Sequence, residues 1–446
     1  MRQPARDPIP FDLMDRSLRA VMLGTFTLRF STGLTGAMLV FYLRRLDEMG
    51  GPTVDAVLVG IYSALFYLAE LGLSPFFGIL GDRFGHHRLM LWGPIFGGVA
   101  VVLTGLSTNT VILGATRLLE GASTAASVPA ILGYIAMATA GNEALRGRAA
   151  ARFEGATLAG LGAGFIVAPS LFDIVGPAAF FMNALIYGAS FAIYRLGVKE
   201  PPEEALERAR PHVTLARYGE LLRSSHIWLL APTWIAINAS IGLWFSQSLF
   251  AFAKRNPEFP EQVLMRGFST LEITGALVVI AIVFAAGLFY WGGRFKRFRR
   301  TTIILYGILG GGAAVAAGLF VNHGEALPAG VPWLAGVVIA GGLFVLAGAT
   351  PAAVGLLADV SERFPADRGA IMGLYSVFLA IGQISGSLLG GYFAQWAGID
   401  GLFSGTLLLL VVALVPLAQL RREEHYIGGP DTTAHLGLDD GDAPQG

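Results

Sequence analysis

Long apolar runs alternate with short polar breaks along almost the whole chain. A hydrocarbon core about 30 Å thick needs roughly 20 apolar residues for each helical crossing. The pattern predicts twelve crossings, at residues 20–43, 55–80, 89–106, 109–138, 149–173, 178–196, 227–253, 268–291, 302–322, 332–357, 369–396 and 401–420. The short alternating segments of a membrane barrel do not occur. The sequence therefore predicts an all-α membrane protein.

The longest polar stretch, Lys199 to Ser225, leaves six crossings on each side. It divides the chain into a segment 1–19, a six-helix bundle 20–196, a linker 197–226, a second bundle 227–420 and a tail 421–446, which we expect to be disordered. Shifting the sequence by 222 residues places Gly160 over Gly382 and Gly164 over Gly386. We therefore expect two pseudo-symmetric bundles built from a repeat.

Composition agrees with lipid as the solvent, because 54% of residues are apolar and only 14% are charged. Net charge is zero and cysteine is absent, so we expect no nucleic-acid partner and no cysteine metal site. Phosphate loops, metal-ligand clusters and Ser/His/Asp groupings are not found either. We expect no cofactor, no metal and no enzymatic activity, and a monomer in the bilayer.

Basic residues are distributed unequally between alternate loops. The loops on the side opposite to the amino terminus hold five of the 31 Lys and Arg residues, namely Arg44, Arg45, Lys254, Arg255 and Arg266. Nearly all others lie on the amino-terminal side. By the positive-inside rule we predict a multi-pass inner (plasma) membrane protein with both termini in the cytoplasm.

A short motif lies between crossings 2 and 3, with Gly78, Asp82, Arg83, Gly85 and Arg88 at characteristic spacing. Here the chain resembles the major facilitator superfamily, from about residue 16 to residue 422. The resemblance implies that family's twelve-helix fold, secondary active transport and alternating access. It also nominates the beginning of crossing 11 as the partner of the acidic residue. Physically, the first glycine allows close helix approach, the second allows a tight turn, and the carboxylate can accept from a helix amino terminus.

Four charges lie deep within the first half. Arg117, Glu120 and Gly121 in crossing 4 are similar to the family's fourth-helix signature, which is associated with proton-linked members. Arg29 and Glu70 lie near the middle of crossings 1 and 2. Because isolated charges at such depth cost at least ~2.5–3.5 kcal/mol, we expect them to face a cavity or each other, and to handle protons or anions. A self-neutralised Arg–Glu pair in crossing 4 and a structural Arg29–Glu70 bridge remain alternatives.

Other predicted positions concern packing and the substrate cavity. The predicted helix-packing glycines are Gly121, Gly160, Gly164, Gly382, Gly386 and Gly390. We expect the last five to lie at the contacts between the two halves, which slide during transport. Cavity candidates are Asn183, Asn238, Trp244, Gln247, Tyr375 and Gln383, although core packing is an alternative for each. Glu272 ranks below Glu70 as a cavity carboxylate. Glu154 and Asp173 lie at predicted helix ends and are interpreted as solvated.

The favoured function is proton-coupled export of lipophilic or drug-like small molecules by a secondary transporter. Glu70 or Glu120 would take up the coupling proton, and Arg29 and Arg117 would tune it or bind a substrate anion. Two alternatives remain: proton-coupled uptake of a small organic anion or metabolite, and a transport-inactive receptor or scaffold on the same fold.

Overall fold

A computed structural model describes residues 11–139, 143–199, 220, 227–253, 255–295, 297–324, 328, 330–363 and 368–423. These residues form helices joined by short turns, with no strand among them. The helices of the first half are α1 Phe11–Arg44, α2 Ala56–Phe84, α3 His86–Leu106, α4 Thr110–Ala138, α5 Glu143–Val175 and α6 Ala178–Gly197.

The second half contains α7 Ala231–Phe252, α8 Thr270–Gly292, α9 Arg300–Asn322, α10 Gly330–Leu346, α11 Ala349–Arg363 and α12 Arg368–Arg422. Together α10 and α11 make up the predicted crossing 10. Helix α12 contains crossings 11 and 12, because its backbone leaves helical geometry at Ala397 and Gly398, where Gly398 has φ 59°. Among the described residues, eleven helical stretches are long and apolar enough to span a membrane. The last runs from Gly373 to Arg422 across that kink and supplies two crossings. The predicted all-helical fold with twelve crossings is confirmed.

Two boundaries differ from the prediction. Helix α1 begins at Phe11 rather than at residue 20, because its first turns are polar and an apolar pattern does not detect them. Helix α2 continues to Phe84, so Gly78, Asp82 and Arg83 belong to its last turns rather than to a loop. The turn itself is Gly85, whose φ of 93° favours glycine.

The described residues form two compact units. Unit 1 comprises those within Met1–Val54, Tyr62–Pro211 and Ser269–Thr274, and unit 2 comprises those within Asp55–Ile61, His212–Phe268 and Gly275–Gly446. Most of the predicted linker 197–226 and of the tail 421–446 lies outside the described residues.

In unit 1, α1 packs mainly on α5 and α6, and α3 packs on α4 and α6. Small residues make these contacts close: a Cβ on Gly164 would lie 2.7 Å from the backbone nitrogen of Leu34, and one on Gly160 would lie 2.6 Å from the carbonyl oxygen of Phe26. Approach of this kind is the usual source of stability between membrane helices, because lipid offers no hydrophobic driving force.

In unit 2, the dominant contact is between α7 and α12, and α9 packs on α10, α11 and α12. A Cβ on Gly386 would lie 2.8 Å from the Cα of Ala239, and one on Gly390 would lie 3.0 Å from the Cα of Leu243. The glycines of crossings 5 and 11 therefore pack against the first helix of their own half. The expectation that they mark contacts between the halves is wrong, because their nearest neighbours belong to the same bundle.

Candidate functional site

Two deep charges of α4 form an ion pair. Arg117 and Glu120 are 8% and 2% exposed, and a guanidinium nitrogen of Arg117 contacts a carboxylate oxygen of Glu120. Their i, i+3 spacing places both side chains on one face of the helix. The guanidinium also lies over the ring of Phe66, 4.9 Å from its centroid. Two charges that would be costly alone are thus neutralised within the protein.

Gly121 brings this pair against α2. A Cβ at Gly121 would lie 2.7 Å from the Cβ of Ala69 and 3.1 Å from the backbone nitrogen of Glu70, so only glycine fits without a shift. This close approach of α2 and α4 places Glu70 and Tyr67 near the Arg117–Glu120 pair. The Tyr67 hydroxyl lies within electrostatic range of Arg117. The family-like Arg-x-x-x-Gly spacing therefore has a packing cause here.

Arg29 of α1, 9% exposed, is within electrostatic range of two carboxylates from different helices, Glu70 of α2 and Glu154 of α5. Glycine again sets the distance, because a Cβ on Gly160 would lie 2.9 Å from the Arg29 Cβ. Glu154 is exposed, which agrees with the prediction of a solvated residue near a helix end. Its nearness to Arg29 depends on the α1–α5 contact, and the stripe of small residues in α5 was the only signal of it.

The motif at the end of α2 is described in part. Arg83 and Arg88 are exposed, and the side chain of Asp82 lies outside the described residues, as does that of its nominated partner near Gly369. His86, the first residue of α3, is buried, and a Cβ on Gly81 would lie 2.8 Å from its ring. The small residue at position 81 thus makes room for a histidine where the family motif often has another basic residue.

The cavity candidates of crossing 7 are engaged in unit 2. Asn238 donates to the carbonyl of Trp234 at 2.9 Å. Trp244 donates from Nε1 to the Thr406 hydroxyl at 2.8 Å. Gln247 donates from Nε2 to the carbonyl of Ala56 at 3.0 Å, within the same unit. Trp244 and Gln247 therefore contact different segments although their spacing places them on one side of the helix.

The remaining candidates also lie in helix seams. Tyr375 stacks on Trp234 with 5.3 Å between ring centroids, and Gln383 is buried beside Gly242. In unit 1, Asn183 is fully buried and its amide nitrogen donates to Ser31 and Thr35 of α1, at 3.0 and 2.7 Å. Because Asn183 bonds to another helix and Tyr375 stacks on one, a packing role is favoured for these two residues over substrate contact.

Two acidic residues, which do not belong to the group of Arg29, Arg117 and their neighbouring carboxylates, have local partners. Glu272 accepts from the Ser269 backbone N–H at 2.8 Å, while the Ser269 hydroxyl accepts from the Glu272 N–H at 3.3 Å. This reciprocal arrangement caps α8 and explains a glutamate four residues into that crossing. Asp173 forms a 3.5 Å ion pair with Arg45.

Unit 2 has a charge pair that the sequence did not reveal. Arg300, the first residue of α9, pairs with Asp359 of α11, and its guanidinium lies 5.2 Å from the Phe295 ring centroid. The loop before α9 contains basic residues and no acidic one. The acidic partner comes from another helix, so spacing along the chain could not show it.

Comparison with known proteins gives the family. The pattern of the Major Facilitator Superfamily matches residues 21–260 and 243–437. Multidrug resistance protein 2 of Bacillus subtilis (strain 168) is 23% identical over 346 residues, covering 75% of this chain and 79% of that protein.

Solved structures share the fold. A bacterial homologue of the human lysosomal transporter Spinster, inward-facing and unoccupied, aligns with a TM-score of 0.68 at 14% identity, covering 94% of this chain and 98% of that one. The nucleoside transporter NupG aligns with a TM-score of 0.65 at 12% identity, covering 91% and 98%. With a family match along most of its length and this shared twelve-crossing fold, the chain belongs to the Major Facilitator Superfamily and is a multi-pass membrane transporter.

Proposed function

We propose that the protein is a proton-coupled exporter of lipophilic small molecules that works by alternating access. The observation that carries this proposal is the position of Arg29 within electrostatic range of both Glu70 and Glu154, while Arg117 and Glu120 neutralise each other. Among these five groups, two cations oppose three carboxylates, so one negative charge is in excess when all are ionised.

Excess negative charge at membrane depth is costly, and uptake of one proton removes it. Glu70 is the proposed proton carrier, because it lies in the middle of a crossing and shares Arg29 with Glu154. Glu120 is less suited, because its carboxylate already holds Arg117 in place. Glu154 is the second carboxylate that can hold Arg29 when Glu70 is protonated.

A lipophilic substrate agrees with the side chains available. The three polar candidates of α7 each donate a hydrogen bond within the protein, which leaves fewer groups to recognise a sugar. The relative from Bacillus subtilis, which matches 75% of this chain, is named for multidrug resistance, and this supports export of drug-like compounds.

Uptake of a small organic anion is the nearest competing function. It would need Arg29 or Arg117 to be available to the substrate, yet Arg117 is paired with Glu120, and Arg29 lies within electrostatic range of Glu70. A receptor or scaffold without transport is the competing function of another class, and such a protein would have no use for a carboxylate that takes up and releases a proton.

Proteoliposomes with an imposed pH gradient test the proposal. A lipophilic fluorescent dye should move against the proton flux in the wild type, and Glu70→Gln should abolish coupling while Glu120→Gln retains it in the folded fraction. The exposed Glu261→Gln serves as the matched control. Movement of substrate with the protons supports uptake, and absence of substrate-dependent proton movement in folded protein supports a receptor. Wild-type coupling in Glu70→Gln contradicts the role given to that carboxylate.

We also propose that the protein lies in the inner membrane with both of its termini in the cytoplasm. The chain has no cysteine, so single substitutions report accessibility without background. An impermeant maleimide applied to intact cells should label Glu258→Cys, in the loop after α7, and should not label Arg195→Cys, in the last turn of α6. The reverse labelling would invert the orientation.

A further inference from the structure

A cavity of about 490 Å³ lies between the first turns of α1 and α5 in unit 1. Two exposed arginines, one from each helix, stand among apolar side chains around it. The lining residues are Leu18, Arg19, Met22, Leu145, Ala149 and Arg152.

The cavity follows from the way the two helices pack. Further along, α1 and α5 are in backbone contact, since a Cβ on Gly33 would lie 3.1 Å from the Cα of Leu161 and one on Gly160 would lie 2.6 Å from the Phe26 carbonyl. Towards the helix starts, five of the six lining residues are Leu, Met or Arg, and Ala149 is the one small residue among them. A wedge therefore opens where the helices no longer touch closely.

The predicted crossings place the wedge at the level of lipid headgroups. Crossings 1 and 5 are predicted to begin at residues 20 and 149. Arg19 lies one residue before the first of them, and Arg152 lies three residues, about 4.5 Å of helix, into the other. Met22 lies about 9 Å beyond Arg16 by the same rise, so apolar surface continues below the guanidinium groups.

We propose that this wedge binds the phosphate headgroup of an anionic phospholipid in the leaflet on the amino-terminal side. Arginine presents parallel N–H donors that match two phosphate oxygens, and two arginines from separate helices can hold one phosphate between them. Basic pockets between membrane helices on the cytoplasmic side are suited to such headgroups. The apolar lining accepts the start of the acyl chains, which a free phosphate lacks. The bound lipid would tie α1 to α5, the two helices that carry Arg29 and Glu154.

Native mass spectrometry after extraction from mixed bilayers of phosphatidylglycerol and phosphatidylcholine tests the site. The wild type should retain phosphatidylglycerol preferentially. Arg19→Gln with Arg152→Gln should weaken retention on the order of 25-fold, from about fivefold for each arginine near the surface. Arg19→Lys with Arg152→Lys should keep most of the preference for phosphatidylglycerol. This variant therefore separates the effect of lost charge from that of misfolding.

Arg195→Gln is the matched control, because Arg195 is an exposed arginine at the same membrane face and does not line the wedge. Equal loss in this control, or equal retention of both lipids by the wild type, would overturn the site. Glycerol phosphate supplies the second arm: if millimolar glycerol phosphate raises the melting temperature as much as phosphatidylglycerol and displaces it fully, the ligand is a soluble phosphate and the lipid assignment fails.

Discussion

Removing one charge of the α4 ion pair should destabilise the protein more than removing both. Glu120→Gln leaves the Arg117 guanidinium, 8% exposed, without its carboxylate in the interior of unit 1. Loss of one partner of a buried pair costs about 3–5 kcal/mol, because the remaining charge stays desolvated. The Phe66 ring, 4.9 Å away, offsets roughly 1 kcal/mol of this. The expected loss in unfolding free energy is therefore about 2–4 kcal/mol.

Replacing both residues, as Arg117→Met with Glu120→Gln, removes the uncompensated charge and should cost less than Glu120→Gln alone. Steric trapping in bicelles gives the unfolding free energies of the wild type, of each single variant and of the double variant. From this double-mutant cycle we expect a coupling energy of about 2 kcal/mol or more. Glu261→Gln, on the surface, should change stability by less than about 0.5 kcal/mol. Equal destabilisation in the single and double variants would refute the reasoning, since it would mean that the pair is solvated or that packing alone determines the cost.

Two further predictions compare neighbouring positions by melting temperature. Gly160→Leu should destabilise strongly and disturb coupling, because its Cβ would lie 2.9 Å from that of Arg29, whereas Gly162→Leu meets open space and should be tolerated. Similar effects at both glycines would contradict the close α1–α5 contact. Gln262→Ala should cost about 2 kcal/mol or more, because its amide accepts from two backbone N–H groups and donates to one carbonyl at the kink around residues 397–400. Glu261→Ala, at the exposed neighbouring position, should change stability very little. An equal loss of stability in that variant would mean that the hydrogen bonds at the kink do not cause the effect of Gln262→Ala.

The sequence by itself determined the features that depend on local periodicity. Apolar runs of membrane length predicted the twelve crossings, because a helix must satisfy its own backbone hydrogen bonds in lipid. The i, i+3 spacing of Arg117 and Glu120 predicted their pairing, since that distance along a helix is a distance in space. The turn at Gly85 could be identified in the same way, because glycine adopts positive φ at little cost.

Tertiary structure decided which residues meet across helices. Glu154 comes near Arg29, and Asp359 pairs with Arg300, through contacts between segments far apart in sequence. The side of a membrane helix that faces a neighbour depends on its rotation, and that rotation is set by the sum of small-residue contacts along the seam. Polar character alone therefore could not show that Asn183 binds α1 instead of lining a cavity. The periodicity of apolar residues along the chain specifies the helices. The packing of those helices specifies which charged residues, such as Arg29 and Glu154, come close together.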